Sequence, residues 1–360
     1  MIGPEHTQTV PGDRLRRFIR ECLLSVDAVE SEAAIVADAL VSTDLRGVES
    51  HGVARLRRYV DGLRRGTINR SPQLRVVSES PATVLLDADN GLGQPAGTKA
   101  MDLAIAKSAA AGVGVVAVRK TNHFGMAAYY AMRALESGMI GIAISNASPQ
   151  VAPTFGAEPM YGTNPMAIAI PTSRSVPFVL DMATSTVPRG KLERMHWHGE
   201  AMPIGWAVDP SGAPTTDLPG LIEGLKRRSG HALLPLGGGG DVYGGHKGFG
   251  LGLVLDLLCG PLAGASWGRH VYGPSGADLG QWFIAMQVEA FRPRDEFLEE
   301  AERLLVEIRA TRRATDAARI FIHGEKEAEE TARRKQFGIP LPSRVWSDLT
   351  ALSQECGVQL

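Results

Sequence analysis

Cysteine is scarce in this 360-residue chain: Cys22, Cys259 and Cys356 are odd in number, far apart and outside any metal-ligand spacing. A disulfide framework and a structural zinc are therefore not expected, and free thiols in a reducing compartment, the cytoplasm, are. Charge of one sign is missing too. Lys and Arg number 38 against 39 Asp and Glu, a formal net charge of -1, and the basic residues are scattered or interleaved with acids. That leaves no stripe for nucleic acid and no patch for a membrane surface. No apolar run of bilayer length is intact, because the longest, Gly248 to Ala265, is broken by Asp256, Pro261 and five glycines. The start, MIGPEHTQTVPGD, has no charged segment leading into an apolar core, so no export signal is expected there. The common dinucleotide fingerprint is also absent: GLGQPAG at Gly91 has the wrong spacing, and no G-x-G-x-x-G follows a strand pattern. Small molecules are the partners that remain.

What is present, 44% hydrophobic residues over this length, suffices for real cores and suggests two domains. Up to about residue 70 the pattern predicts helices over Arg14 to Ser25, Ser31 to Arg46 and His51 to Arg65. Asp27 with Glu30 makes a capping-box-like start for the second, and Ser50 an N-cap for the third. At Ser71-Pro72 the character changes, and a domain boundary is placed there. LRVVSES and ATVLLDADN predict two strands. Twice afterwards a helix, Pro95 to Ala111 and then Met126 to Ser137, ends on a glycine and gives way to an apolar strand, VGVVAVRK and MIGIAISN. NPMAIAIPT and PFVLDMAT follow with short turns between, which predicts antiparallel pairing. Beyond the turn-rich Met202 to Asp241 come GGHKGFGLGLVLDLLCG as a helix, QWFIAMQVE as a strand, a helix from Arg292 to Thr311 and a last one from Ser343. The expected division is a helical unit of residues 1–72 with about 312–360, and a sheet-containing unit of 73–311.

Chemistry concentrates in ESHGVARLRRYVDGLRRG, Glu49 to Gly66. On a helix from His51, the side chains of His51, Arg55 and Tyr59 share a face, with Ser50 beside them. A guanidinium grips a carboxylate through two parallel charge-assisted hydrogen bonds, and an imidazole exchanges a proton with a hydroxyl or carbonyl on the next carbon. The same spacing also describes an amphipathic helix whose cations lie in water. His123, in KTNHFGMAAYY, stands at a strand-to-helix junction, a place for ligands and for structural hydrogen bonds alike. Asp181 interrupts an apolar strand and needs a partner, for which a histidine would serve. Thr163 and Asn164 carry hydrogen-bonding groups in GTNPMAIAIP. The glycines before His246 and Lys247 either turn backbone N–H groups and a cation toward an anion or form a flexible surface loop.

Taken in order, SHGVARLRRY, TNHFGMAAYYA, GMIGIAISN, YGTNPMAIAIP, VLDMATS, IGWAVDPSGAPTTD and GGHKGFGL resemble the type-2 malate/L-lactate dehydrogenase family. That group includes ureidoglycolate dehydrogenase, sulfolactate dehydrogenase, diketogulonate reductase and Δ1-piperideine-2-carboxylate reductase, and the similarity runs from about residue 12 to residue 345. The resemblance implies an α+β fold that binds NAD or NADP on a mostly antiparallel sheet instead of a Rossmann fold, in a homodimer. It implies hydride transfer between nicotinamide and a small L-2-hydroxy acid or 2-oxo acid, without a metal. Reduction of a cyclic imine carboxylate, or a catalytically silent ligand-binding relative, are the alternatives. His51 and His123 become the acid/base candidates, with Asp181 near His51, Arg55 on the substrate carboxylate and Ser50, Tyr59 and Thr163 around it. The dinucleotide is expected against Asn146, Asp181, Met182, Ala183, Thr184, Ser185, His246, Lys247, His323, Gly324 and Glu325. Where relatives commonly have Pro-Gly-Glu, this chain has His323-Gly324-Glu325. Of the two histidines, His51 is expected to move the proton and His123 to bind or polarise the substrate oxygen.

Overall fold

Residues 7–174, 176–197, 199–273 and 276–360 are described by a computed structural model of the chain. It opens with a short strand, β1 (Thr7–Val10), and two helices, α1 (Gly12–Leu24) and α2 (Glu30–Leu45). α1 turns Leu15, Phe18, Ile19, Cys22 and Leu23 to one side at helical spacing, and α2 meets them with Val36, Leu40 and Val41. The start of α2 differs from expectation: Val29 is the N-cap, and no side chain caps the helix. Asp27 instead turns the chain with φ of 62° and pairs its carboxylate with Arg70.

The third helix, α3 (Leu56–Arg65), begins five residues later than the pattern predicted. Two 3₁₀ turns, Glu49–His51 and Val53–Arg55, precede it, jointed at Gly52, so Ser50 lies inside a turn and is not an N-cap. α3 still buries Leu56, Tyr59, Val60 and Leu63 in the first core.

The sheet then forms from β2 (Arg75–Glu79), β3 (Thr83–Asp87), β4 (Val113–Thr121), β5 (Ile140–Ser145), β6 (Met166–Ile170) and β7 (Phe178–Met182). α4 (Gly93–Ala111) crosses over between β3 and β4, the one parallel neighbour pair in it. The helix predicted over Met126 to Ser137 is α5 (Ala128–Ala131), continued by a 3₁₀ segment, Met132–Ser137. α4 lies against β4 so closely that a Cβ on Gly114 would stand 2.0 Å from the Ala104 carbonyl oxygen, which is why the second residue of the strand is a glycine.

A smaller lobe follows: α6 (Arg189–Trp197), β8 (Ala207–Val208), α7 (Leu218–Arg227) and β9 (Ala232–Leu233), gathered around Val187, Leu192, Leu221 and Leu233. The glycine-rich approach leads into α8 (Gly245–Leu257), and a two-residue ladder, β10 (Tyr272–Gly273) with β11 (Gly276–Ala277), precedes β12 (Leu279–Met286). β12 enters the middle of the sheet, giving the order β2-β3-β4-β12-β5-β6-β7, antiparallel at every joint except β3–β4. This is the expected α+β fold, and β6 and β7 pair antiparallel as their short connection predicted.

α9 (Arg294–Ala310), α10 (Glu325–Phe337), β13 (Ile339–Pro342) and α11 (Ser343–Cys356) complete the chain. β13 pairs with β1, and Ile339, Leu341, Leu349 and Leu352 join the core of α1 to α3, so the two ends of the sequence are packed together. Among the described residues no helix is long and apolar enough to cross a membrane.

Candidate active site

The turn carrying Ser50, His51 and Arg55 is fixed from beneath by a buried carboxylate. Asp44, 2% exposed near the end of α2, accepts the Val53 N–H on Oδ2 at 2.8 Å. Gly52 passes directly over it: a Cβ there would lie 1.8 Å from Asp44 Oδ1. Burial pushes the Asp44 carboxyl up to about 7, against the Val53 N–H and the Arg334 charge, which favour ionisation. Arg334, reaching over from α10, donates to the Asp44 carbonyl oxygen at 2.8 Å and to Glu49 Oε1 at 2.6 Å, and also pairs with Glu330. The motif is thus held between α2 and α10.

Within the turn, Ser50 Oγ lies 2.8 Å from His51 Nδ1, and Arg55 donates Nε–H to the Ser50 carbonyl at 2.6 Å. With Nε taken, the Nη edge of Arg55 is the part left for a ligand. The His51 ring stacks on that of His123, with centroids 5.5 Å apart and planes 20° from parallel. His123 comes from the junction after β4, and its Nδ1 is 2.8 Å from Tyr59 Oη on α3. Each imidazole therefore has a hydroxyl on Nδ1, which orients the ring and leaves Nε2 for a substrate. Burial, then the Arg55, Arg58 and Arg189 charges, hold His51 down at about 3. Burial, then Arg58, His51, Arg55 and Arg189, hold His123 well below the ordinary histidine value. Both rings are neutral at neutral pH, as a proton acceptor must be before it acts.

Ser50 and His51 also form one wall of a cavity of about 210 Å³. Thr163, Asp181, Met182, Ala183, His323 and Gly324 line it as well, so eight of the residues singled out in the sequence converge there. Asp181 does not hydrogen-bond His51. Its Oδ2 accepts the N–H of Ala128, at the start of α5, at 2.8 Å, because the end of β7 points at that helix terminus. Desolvation pushes Asp181 up to about 6, with the Ala128 N–H and Arg46 acting against it. The carboxylate nonetheless opens onto the cavity and is solvent-exposed.

His246 and Lys247, exposed at the start of α8, line a second depression of about 500 Å³ with Gly237, Asp241 and Gly244. The segment after β7 connects the two: Met182 and Ala183 face the first, while Thr184 accepts the N–H of Leu236, which lines the second, at 2.9 Å. Four expected cofactor contacts turn elsewhere. Asn146 is buried and spans Asp256, the Ser266 carbonyl and the Gly280 N–H, a pin between β5 and β12. The Thr184 hydroxyl bonds the Thr163 and Asn164 carbonyls, and that of Ser185 bonds the Val187 carbonyl. Glu325 pairs with Arg309 at 2.8 Å and accepts the Ile322 N–H. Thr184 and Ser185, just past the edge strand β7, bond backbone carbonyls first, so type and position did not separate them from ligand contacts.

The residues that sequence reasoning missed are Asp44, Arg46, Glu327, Arg189 and Glu193. Arg46 and Glu327 line the first cavity, and Arg46 Nε is buried there without a hydrogen-bond partner among the described residues. A cationic donor in that state, in the cavity that Gly324 also lines, suits the polar and anionic groups of a dinucleotide, as does the exposed Lys247 at the α8 terminus. RGKLE, with Arg and Glu four apart, was the available signal for the Arg189–Glu193 pair.

Similarity to known proteins fits this geometry. The Entamoeba histolytica malate dehydrogenase structure superposes with a TM-score of 0.95 at 36% identity, over 99% of both chains. The chain is 46% identical to the Pyrococcus horikoshii malate dehydrogenase over 352 residues, 97% of this chain and 96% of that one. It is 38% identical to the L-sulfolactate dehydrogenase of Methanocaldococcus jannaschii over 364 residues, 100% of this chain and 98% of that one. A non-Rossmann α+β framework with a paired-imidazole site thus belongs to an NAD(P)-dependent dehydrogenase. A family model described as malate/L-lactate dehydrogenase matches residues 10–350. The chain is a member of that malate/L-lactate dehydrogenase family, oxidoreductases of small 2-hydroxy acids.

Proposed function

We propose that this chain interconverts a small L-2-hydroxy acid of the malate or lactate kind with its 2-oxo acid, using His51 as the group that moves the proton. The stacked imidazole pair beside the free edge of Arg55 carries the reading. Arg55 holds the carboxylate, which brings the neighbouring carbon and its oxygen toward His51. Neutral His51 takes the hydroxyl proton on oxidation and returns it on reduction, while Ser50 keeps the ring in place. His123, steadied by Tyr59, binds the same oxygen and withdraws electron density from it. Asp181 acts by its charge across the cavity, supporting the imidazolium that forms, and by fixing the start of α5.

Met182, Ala183, His323, Gly324 and Arg46 would hold one part of NAD(P), and His246 with Lys247 another. When bound, the dinucleotide supplies the two-electron chemistry. The helical unit, 1–72 with 312–360, then carries His51 and the Arg55 clamp and lends Arg46, His323 and Gly324 to the cofactor, whose other contacts come from the sheet unit, 73–311. The apolar side chains Leu253, Val254, Leu257 and Leu262 at and beyond the end of α8, each at least 41% exposed, are what a second copy would cover in a homodimer. Cytoplasmic residence agrees with three free thiols.

The test is a panel of 2-oxo acids and a cyclic imine carboxylate, each assayed with NADH and NADPH, together with His51→Ala and His123→Ala. His51→Ala is expected to lower kcat by roughly 10² to 10⁴-fold and to flatten the pH profile, whereas His123→Ala keeps the profile. The opposite pattern reassigns the proton to His123, and turnover of the imine alone replaces the hydroxy acid reading.

A further inference from the structure

The first turn of α6 lies against the catalytic turn. A Cβ on Gly190 would fall 2.3 Å from the Ser50 Cβ, so these backbones are in close contact. That turn of α6 brings a second guanidinium and a carboxylate to the site. Arg189 Nε is 3.3 Å from Glu193 Oε1, and the other oxygen of the same carboxylate stands 3.9 Å from Arg55 Nη2. Glu193 is therefore shared between two arginines, with its side chain only 16% exposed. The Arg55 contact is too long for a hydrogen bond, so the edge that Ser50 leaves free faces a carboxylate without being satisfied by it.

Charge at this place is out of balance. Arg55, Arg58 and Arg189 all act on both His51 and His123, which are neutral, and Glu193 is the carboxylate that faces Arg55. Three positive charges against one leave an excess of two. A dianion brings the cluster, Glu193 included, to neutrality, and a monoanion leaves it with an excess of one positive charge.

We propose that Arg189 forms a second anion subsite beside Arg55, that Glu193 occupies both in the free protein, and that the site therefore selects 2-hydroxy and 2-oxo acids carrying a second acid group, carboxylate or sulfonate, over monocarboxylic ones. The inference rests on the reading of Arg55 as the clamp for the carboxylate next to the reacting carbon. The substrate's first carboxylate takes the Nη edge of Arg55, its distal acid group pairs with Arg189, and the Glu193 side chain gives way. A monocarboxylic acid engages Arg55 alone and leaves Glu193 on Arg189.

The experiment compares oxaloacetate with pyruvate as substrates, and malonate with acetate as unreactive ligands in thermal-shift titrations without cofactor. Arg189→Leu is expected to lower kcat/KM for oxaloacetate by about 10 to 100-fold, mostly through KM, and for pyruvate by less than about 3-fold. It should also abolish the preference for malonate over acetate. Arg189→Lys should retain part of both preferences, and Glu193→Gln should tighten malonate binding several-fold. An equal loss on both substrates, an unchanged preference, or weaker malonate binding by Glu193→Gln overturns the proposal. Arg55→Lys separates the two readings: an unchanged KM for both oxo acids removes the clamp itself, whereas a raised KM for both with no Arg189 preference removes only the second subsite.

Discussion

Gly52→Ala is the sharpest test of how the turn carrying Ser50 and His51 is positioned. The new Cβ would stand 1.8 Å from Asp44 Oδ1 and 2.2 Å from its Cγ, where ordinary contact begins near 3.4 Å. Turn and carboxylate must therefore separate by about 1.6 Å, the difference between those contacts. Asp44 has little freedom to yield, since it is buried and its other oxygen holds Val53 N–H. The turn yields instead, carrying Ser50, His51 and the anchor of Arg55 with it. Misplacement of a reacting group by about 1 Å costs on the order of 10²-fold in rate, or about 2.7 kcal/mol of barrier. Loss of the Val53–Asp44 bond adds about 1–3 kcal/mol of lost stability. Steady-state kinetics with a 2-oxo acid, paired with thermal melting, reads both numbers. Combining Gly52→Ala with Asp44→Ser makes room for the methyl group, so the double variant should be less impaired than the sum of the single ones. A Gly52→Ala protein with kcat/KM and melting temperature close to wild type would refute the account.

Tyr59→Phe removes the hydroxyl on His123 Nδ1 but leaves the ring in its core, so kcat should fall by about tenfold with melting nearly unchanged; an unaltered kcat means that His123 is oriented by something else. Lys247→Ala should weaken NAD(P)H binding in a fluorescence titration and leave the fold intact, and an unchanged dissociation constant takes the α8 terminus out of the cofactor site. Acid should destabilise the protein through its histidines. His51 is held at about 3 and His123 well below the ordinary 6.5, so below pH 6.5 the unfolded chain binds protons that the folded site refuses. Their contribution is complete above that pH and is lost progressively toward pH 3. Denaturant titrations at several pH values should show a shallower acid loss in His51→Gln than in wild type, and equal slopes would contradict the placement of a neutral ring there.

Local signals were legible where local physics decides. Gly112 and Gly138 ended their helices as read, and the short connection between β6 and β7 forced the antiparallel pairing. SHGVAR was misread as helix because its composition allows one; what makes it two 3₁₀ turns is a carboxylate from α2 and an arginine from α10, the latter 285 residues away from Glu49. Asp181 was correctly singled out as an acid in need of a partner, but the partner is a helix terminus, which residue type alone does not announce. His51 and His123 were each singled out from their motifs, and the structure brings the two rings together. Their stacking, and the hydroxyl on each Nδ1, depend on β4 delivering its end beside the first turn of the helical unit, a relation that no spacing along the chain encodes.

The position of β12 has a consequence for how the protein is made. This strand, among the last to be synthesised, fills the gap between β4 and β5, so about 140 residues must follow β5 before the gap can close. At translation speeds of about 5 to 20 residues per second, the nascent chain carries two unpaired interior strand edges for roughly 7 to 30 seconds. Those edges are rich in valine and isoleucine, VGVVAVRKT and IGIAIS, the kind that other chains join. A ribosome that stalls before residue 279 releases a split sheet, not a smaller copy of the fold, and such a fragment should aggregate or be captured by chaperones.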